Sequence, residues 1–272
     1  MPADIEGGTI WERYRRWVVE WFVVANLGFL ALDIYLAHSV NEFAHRAEWI
    51  PFYFSLLAPI ALIGGMLTHR KQPGALVGVV SIGVGVAGLV LHLDSHFFET
   101  HTLEGLVYAA PFAAPLAYAG LGLLLLLDRM VPDTDPEWAA WVIFLALGGF
   151  VGNFALALCD HAINGFFEPA EWIPVFAAAL AVGFLGSVFI VPPTAGYLVL
   201  CLWVLVVQVA VGLAGFGLHV MADFNRQPDD WWASVVHGAP PFAPLLFCNL
   251  AVLAAVGLWD MRCRLSPVRP RR

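Results

Sequence analysis

Charged residues are scarce in this sequence. Asp, Glu, Lys and Arg make up 12% of the 272 residues, whereas soluble globular proteins carry about 25%. Hydrophobic residues make up 60% of the chain, and the mean hydropathy is +0.78. So few charges cannot cover a surface that faces water, because buried and exposed positions would both be largely apolar. The composition therefore excludes a water-soluble protein and predicts an integral membrane protein whose main partner is the lipid bilayer.

Cysteine and basic residues are also few. The four cysteines are scattered and form no CxxC motif, which excludes a disulfide framework and a thiolate metal knuckle. Lys and Arg together number 13, and they form neither a nucleic-acid-binding patch nor part of a phosphate-binding glycine loop. We therefore expect no nucleic-acid partner.

Long apolar segments are abundant instead. Crossing the hydrocarbon core takes about 20 apolar residues in a helix, and eight segments meet that requirement. They are separated by turn residues such as those at 71–74, 131–133 and 192–194. The predicted spans are residues 17–40, 50–68, 75–93, 108–127, 138–160, 173–191, 195–220 and 242–259. The fold class is therefore an all-α integral membrane protein with eight transmembrane helices.

Basic residues indicate how the chain is oriented. With eight spans, both termini lie on one side of the membrane, and eleven of the thirteen Lys and Arg residues fall on that side. Only Arg46 and Arg226 fall on the other side, where acidic residues and most histidines are found. The positive-inside bias predicts cytoplasmic N- and C-termini in a multi-pass protein of the cell (inner) membrane.

The sequence contains an internal repeat. Residues 38–51 align with residues 161–174 at eight identical positions of fourteen, and residues 87–92 resemble residues 214–219. The repeat predicts two four-helix bundles, residues 1–130 and residues 131–272. Because each unit has four helices, both copies enter the membrane with the same polarity, which makes them parallel repeats.

Ionisable residues of both copies are predicted near the outer ends of the helices. Such residues are costly within a membrane and are functional candidates for that reason. His92 and His96, and likewise His219 and Asp223, are four residues apart, which places each pair on one helix face. The predicted metal ligands are Asp33, His38, His92, His96, Asp160, His161, His219 and Asp223. Imidazole and carboxylate ligands suit Cu, Fe, Mn or Zn and do not select among them.

Glu48 and Glu171 occupy equivalent positions in the repeat, each before Trp-Ile-Pro. A carboxylate there suits a helix entrance, since it lies near the positive end of the helix dipole. The alternative is a catalytic base or a group that supports the metal ligands. Both interpretations remain open from sequence alone.

Three functions are compatible with this pattern. The first is a redox-active, metal-dependent membrane enzyme (an oxidoreductase) or a subunit of a larger redox complex. The second is a b-type cytochrome with two bis-histidine haems, held by His38 with His92 and by His161 with His219; against it, the acidic outer side offers few cations for haem propionates. The third is a divalent-metal or proton-coupled transporter, in which Asp33 and Asp160 titrate.

Overall fold

The computed structural model describes residues 10–226 and 229–265, with the side chain of Arg13 excepted. Arg269, Arg271 and Arg272, which count toward the predicted cytoplasmic charge, lie outside this range. Every regular element in the described range is helical. In chain order the helices are α1 (Ile10–Ser39), α2 (Trp49–Leu67), α3 (Gln72–Asp94), α4 (Phe97–Thr100), α5 (Leu103–Val107), α6 (Leu116–Met130), α7 (Pro136–Ile163), α8 (Trp172–Ile190), α9 (Ala195–Arg226), α10 (Trp231–His237) and α11 (Leu245–Leu265). Short 3-10 turns, Arg46–Glu48 and Pro169–Glu171, lead into α2 and α8.

Seven of these helices are long and apolar enough to cross a membrane: α1, α2, α3, α7, α8, α9 and α11. Only 22–50% of each apolar stretch is buried inside the chain. The outward faces carry large apolar side chains, such as Ile60 on α2 and Phe176 on α8, which are each 67% exposed. Apolar surface on this scale is stable only in lipid, so the protein is a helical membrane protein.

The predicted span at residues 108–127 differs from the structure. Helix α6 begins at Leu116, and the residues before it form α5 and a series of tight turns that includes Pro111 and Pro115. Proline cannot donate to a helix, which explains the late start. With 15 residues, α6 is about 22 Å long, shorter than each of the seven candidate spans. Helix α11 likewise begins at Leu245, later than the predicted residue 242.

Close helix packing depends on glycine. A Cβ at Gly85 would lie 2.6 Å from the backbone nitrogen of Ala119, and one at Gly88 would lie 2.7 Å from Pro115. The equivalent glycines of α9 meet α11 in the same way, since a Cβ at Gly215 would lie 2.8 Å from Pro244. Small residues at such crossings allow membrane helices to approach closely. Helix α3 therefore packs tightly on α6, as α9 does on α11.

Polar contacts join the N-terminal and C-terminal parts of the chain. Asn249 on α11 donates to the side-chain oxygen of Asn26 on α1. At the end of the bundle that contains residue 10, the buried carboxylate of Asp260 accepts from Arg15 at 2.8 Å and from Arg264 at 2.7 Å. Arg264 also donates to the backbone carbonyls of Asp133 and Thr134 in the loop between α6 and α7.

Candidate functional site

Two pairs of histidines meet at the same end of the bundle. The rings of His38 on α1 and His92 on α3 have centroids 6.3 Å apart, at an interplanar angle of 81°. The rings of His161 on α7 and His219 on α9 have centroids 6.4 Å apart, at 82°. These are the two pairs that the sequence repeat predicts, and all four side chains are half-buried.

One ring nitrogen of each pair is held by a proline carbonyl. The Nδ1 atom of His92 lies 3.0 Å from the carbonyl oxygen of Pro111, and that of His219 lies 2.8 Å from the oxygen of Pro240. A carbonyl oxygen can only accept a hydrogen bond, so Nδ1 carries the proton in the neutral ring. The Nε2 atom is then unprotonated and available as a ligand, which is the usual arrangement of metal-binding histidines.

A glutamate faces the other histidine of each pair. Glu48 Oε2 lies 3.8 Å from Nδ1 of His38, and Glu171 Oε2 lies 3.7 Å from Nδ1 of His161. These separations are too long for hydrogen bonds. Both Oε2 atoms are buried and have no hydrogen-bond partner within residues 10–226 and 229–265. The other oxygen of Glu48 accepts from Asn41 at 2.7 Å, which fixes the orientation of that carboxylate.

The loops that carry the glutamates have the same conformation in both copies. The loops that follow α1 and α7 each contain a left-handed phenylalanine, Phe43 at φ 53° and Phe166 at φ 51°. Their backbone nitrogens donate to the carbonyls of His38 and His161 respectively. The phenylalanine rings then stack on the tryptophans that open α2 and α8, with centroids 4.1 Å apart for Phe43–Trp49 and 3.9 Å apart for Phe166–Trp172. Each loop therefore places its glutamate beside the histidine near the end of the preceding helix.

Other residues predicted as ligands lie elsewhere. Helix α3 ends at Asp94, so His96 falls outside it and does not share a helix face with His92 as predicted. Asp223 stays on α9 with His219, but its Oδ1 accepts from the backbone nitrogen of Ala239 at 2.9 Å. Asp33 and Asp160 are half-buried, and the described contacts do not join either carboxylate to a histidine pair.

Sequence reasoning found the histidines and both glutamates but missed the proline carbonyls. Pro111 and Pro240 are visible in the sequence, in the proline-containing turns that precede α6 and α11. Their role depends on the carbonyl direction, which residue identity does not reveal.

Among the described residues, no group of three or more His, Cys, Asp or Glu side chains is close enough to be identified as a metal site. Comparison of the chain with protein-family models, with curated proteins and with solved structures finds no match.

Proposed function

We propose that the chain is an integral membrane metalloprotein with two equivalent sites, one at His38, His92 and Glu48 and one at His161, His219 and Glu171. The observation that supports this proposal most directly is the separation of 3.7–3.8 Å between the glutamate Oε2 and the histidine Nδ1, which is found in both copies. A transition metal lies about 2.0–2.2 Å from each nitrogen or oxygen ligand. The gap is therefore too wide for a hydrogen bond but wide enough for an interposed ion.

The ligand chemistry favours a redox metal. Two imidazoles and one carboxylate suit Fe, Cu, Mn or Zn, and the first three of these exchange single electrons when bound. In this proposal His38 and His92 would supply the imidazole ligands of the first site, and His161 and His219 those of the second. Glu48 and Glu171 are ligands, which replaces the aspartates of the sequence-based hypothesis. A membrane-bound oxidoreductase, alone or with other subunits, is the enzyme class that follows.

The proposal includes the finer topology. Helix α6 and the turns before it form the eighth span, which gives two parallel four-helix bundles, residues 1–130 and 131–272, with cytoplasmic termini in the inner membrane. The support is that α6 packs on α3 as α11 packs on α9, with a proline from the preceding turn against a helix glycine in each case. Both sites then lie at one depth near the outer face.

Haem is the second candidate, and the ring separation favours it. Two histidines that bind one iron from opposite sides have ring centroids about 6 Å apart, since each ring nitrogen lies about 2 Å from the metal. The observed separations are 6.3 and 6.4 Å. Against haem, the glycines beside the histidines, Gly88 and Gly215, already pack on Pro115 and Pro244.

Absorption spectroscopy and elemental analysis of the purified full-length protein test the proposal. We expect two equivalents of one transition metal per chain and no Soret band. The His92→Ala and Glu171→Gln variants should each lower the stoichiometry from two to one, and the double variant should lower it to zero. The control is His45→Gln, which alters an exposed histidine of the same loop.

Two outcomes would contradict the metal-ion proposal. A Soret band that His92→Ala halves would identify the haem alternative instead. A protein that keeps its metal content in both single variants would place the metal outside these residues.

A further inference from the structure

A polar cavity lies at the opposite end of the bundle from the histidine pairs. It has a volume of about 190 Å³ and is formed where α1, α2, α3 and α6 begin or end. Trp17, Leu62 and Met66 form its apolar wall. The cavity therefore adjoins the ends of the apolar spans, at the depth where lipid headgroups lie.

Basic side chains form one wall of this cavity. Arg70 and Lys71 belong to the tight turn between α2 and α3, in which the backbone nitrogen of Arg70 donates to the carbonyl of Gly65. Both residues are exposed and have no ion-pair partner in the part of the chain that the structure describes. His69, at φ 54° in the same turn, also lines the cavity. This wall offers two cations to an anionic ligand.

Acidic side chains form the facing wall. Asp128 Oδ2 pairs with Arg16 at 3.2 Å, and Glu20 pairs with Arg129 at 3.2 Å. Asp128 is 1% exposed, and its Oδ1 is a buried oxygen that lacks a hydrogen-bond partner among the described residues. A buried carboxylate oxygen without a hydrogen-bond donor costs free energy. A donor from a bound ligand would remove that cost.

We propose that the cavity binds the headgroup of a zwitterionic aminophospholipid, of the phosphatidylethanolamine type. The phosphate lies between Arg70 and Lys71, and the primary ammonium donates to Asp128 Oδ1. A purely anionic headgroup can pair with Arg70 and Lys71, but it has no ammonium group to donate to Asp128 Oδ1. A choline headgroup has no N–H to donate, and basic pockets between transmembrane helices at the cytoplasmic side are a recurring type of lipid site.

Exposed apolar side chains beside the cavity offer a surface to the acyl chains of the lipid. Trp17, which lines the cavity, is 40% exposed, and Leu67, next to the lining residue Met66 on α2, is 77% exposed. An interfacial tryptophan beside basic side chains is typical of the headgroup level. A membrane lipid therefore fits this cavity better than a soluble phosphate compound does.

Binding to the delipidated full-length protein in detergent micelles tests this proposal, with native mass spectrometry as the readout. The probes are phosphatidylethanolamine, phosphatidylcholine and phosphatidylglycerol with identical acyl chains, and soluble O-phosphoethanolamine. We expect phosphatidylethanolamine to bind about tenfold more tightly than phosphatidylcholine, since one charge-assisted hydrogen bond distinguishes them. The double variant Arg70→Gln/Lys71→Gln should weaken that binding about tenfold, whereas Arg46→Gln, a basic residue at the histidine end of the bundle, should leave it unchanged.

The Asp128→Asn variant tests the ammonium contact. We expect it to remove the preference for phosphatidylethanolamine over phosphatidylglycerol. If Asp128→Asn fails to fold, the preference of the native protein among the three lipids decides the same point. Equal binding of phosphatidylethanolamine and phosphatidylcholine, or binding unchanged in the double variant, would overturn the proposal. Equal affinity for soluble O-phosphoethanolamine would overturn the assignment to a lipid.

Discussion

The buried carboxylate of Asp260 provides the sharpest test of how the chain is held together. It is 1% exposed and accepts hydrogen bonds from Trp11 at 2.9 Å, Arg15 at 2.8 Å and Arg264 at 2.7 Å. Removing one partner of a buried ion pair costs about 3–5 kcal/mol, because the remaining charge stays buried without compensation. In Asp260→Asn, Arg15 retains its pair with Asp133 at 3.1 Å. We therefore expect a loss near the lower limit, about 3 kcal/mol.

Equilibrium unfolding by SDS in mixed micelles, followed by circular dichroism, measures this loss. The matched control is Asp133→Asn, which removes the other carboxylate that pairs with Arg15. The Asp133 side chain is 23% exposed, so its pair is screened by water and we expect a loss of about 1 kcal/mol. Glu137→Gln, an exposed substitution, gives the baseline. A loss in Asp260→Asn no larger than that in Asp133→Asn would refute the reasoning from burial.

Three further changes have definite expected outcomes. Gly85→Ala should destabilise the protein by about 1–3 kcal/mol, because its Cβ would meet the backbone of α6. Gly83→Ala on the same helix, where nothing lies within 4 Å, should be neutral or stabilising in the same unfolding assay, and equal effects would contradict the packing. Tyr118→Phe removes a buried hydroxyl that contacts Ser55 and donates to the carbonyl of Pro51 at 3.1 Å, so we expect a loss of about 1–3 kcal/mol. Asn41→Ala frees the Glu48 carboxylate and should weaken metal binding in the first site about tenfold, measured by competition with a chelator; unchanged affinity would show that Asn41 does not position the glutamate.

Much of the candidate site could be predicted from the sequence because duplication marks it. His38 and His161 occupy equivalent positions of the repeat, as do His92 and His219, and both rings of each pair lie near the same end of their helices. Helical periodicity and the repeat are enough to predict that the two histidines of each pair lie close together. The prediction that His92 and His96 share a helix face was wrong, because α3 ends at Asp94 and Ser95 is its C-cap residue. Periodicity carries no information about where a polar residue ends a helix.

Other features depend on backbone direction and on contacts between distant segments. The proximity of Glu48 to His38 requires the left-handed residues at 42 and 43, which are Glu and Phe rather than glycine and so give no strong turn signal. The late start of α6 depends on the turns around Pro111 and Pro115, whereas hydropathy alone extends that span upstream. The cluster at Asp260 joins residues nearly 250 positions apart, and nothing in the repeat marks it.

The buried carboxylates of this chain differ in whether their oxygens have hydrogen-bond partners, and that difference bears most directly on function. Both oxygens of Asp260 accept hydrogen bonds from charged or polar side chains, which is what a structural ion cluster requires. At the histidine end, Glu48 and Glu171 each have a buried oxygen without a partner among the described residues, as Asp128 does in the cavity at the opposite end. Buried polar atoms without a hydrogen-bond partner are uncommon in native proteins and need an explanation. The unpaired oxygens of Glu48 and Glu171 occupy equivalent positions of the repeat, so one explanation should apply to both. Because both face a histidine at nearly the same distance, a bound cation accounts for the pair better than two independent defects do.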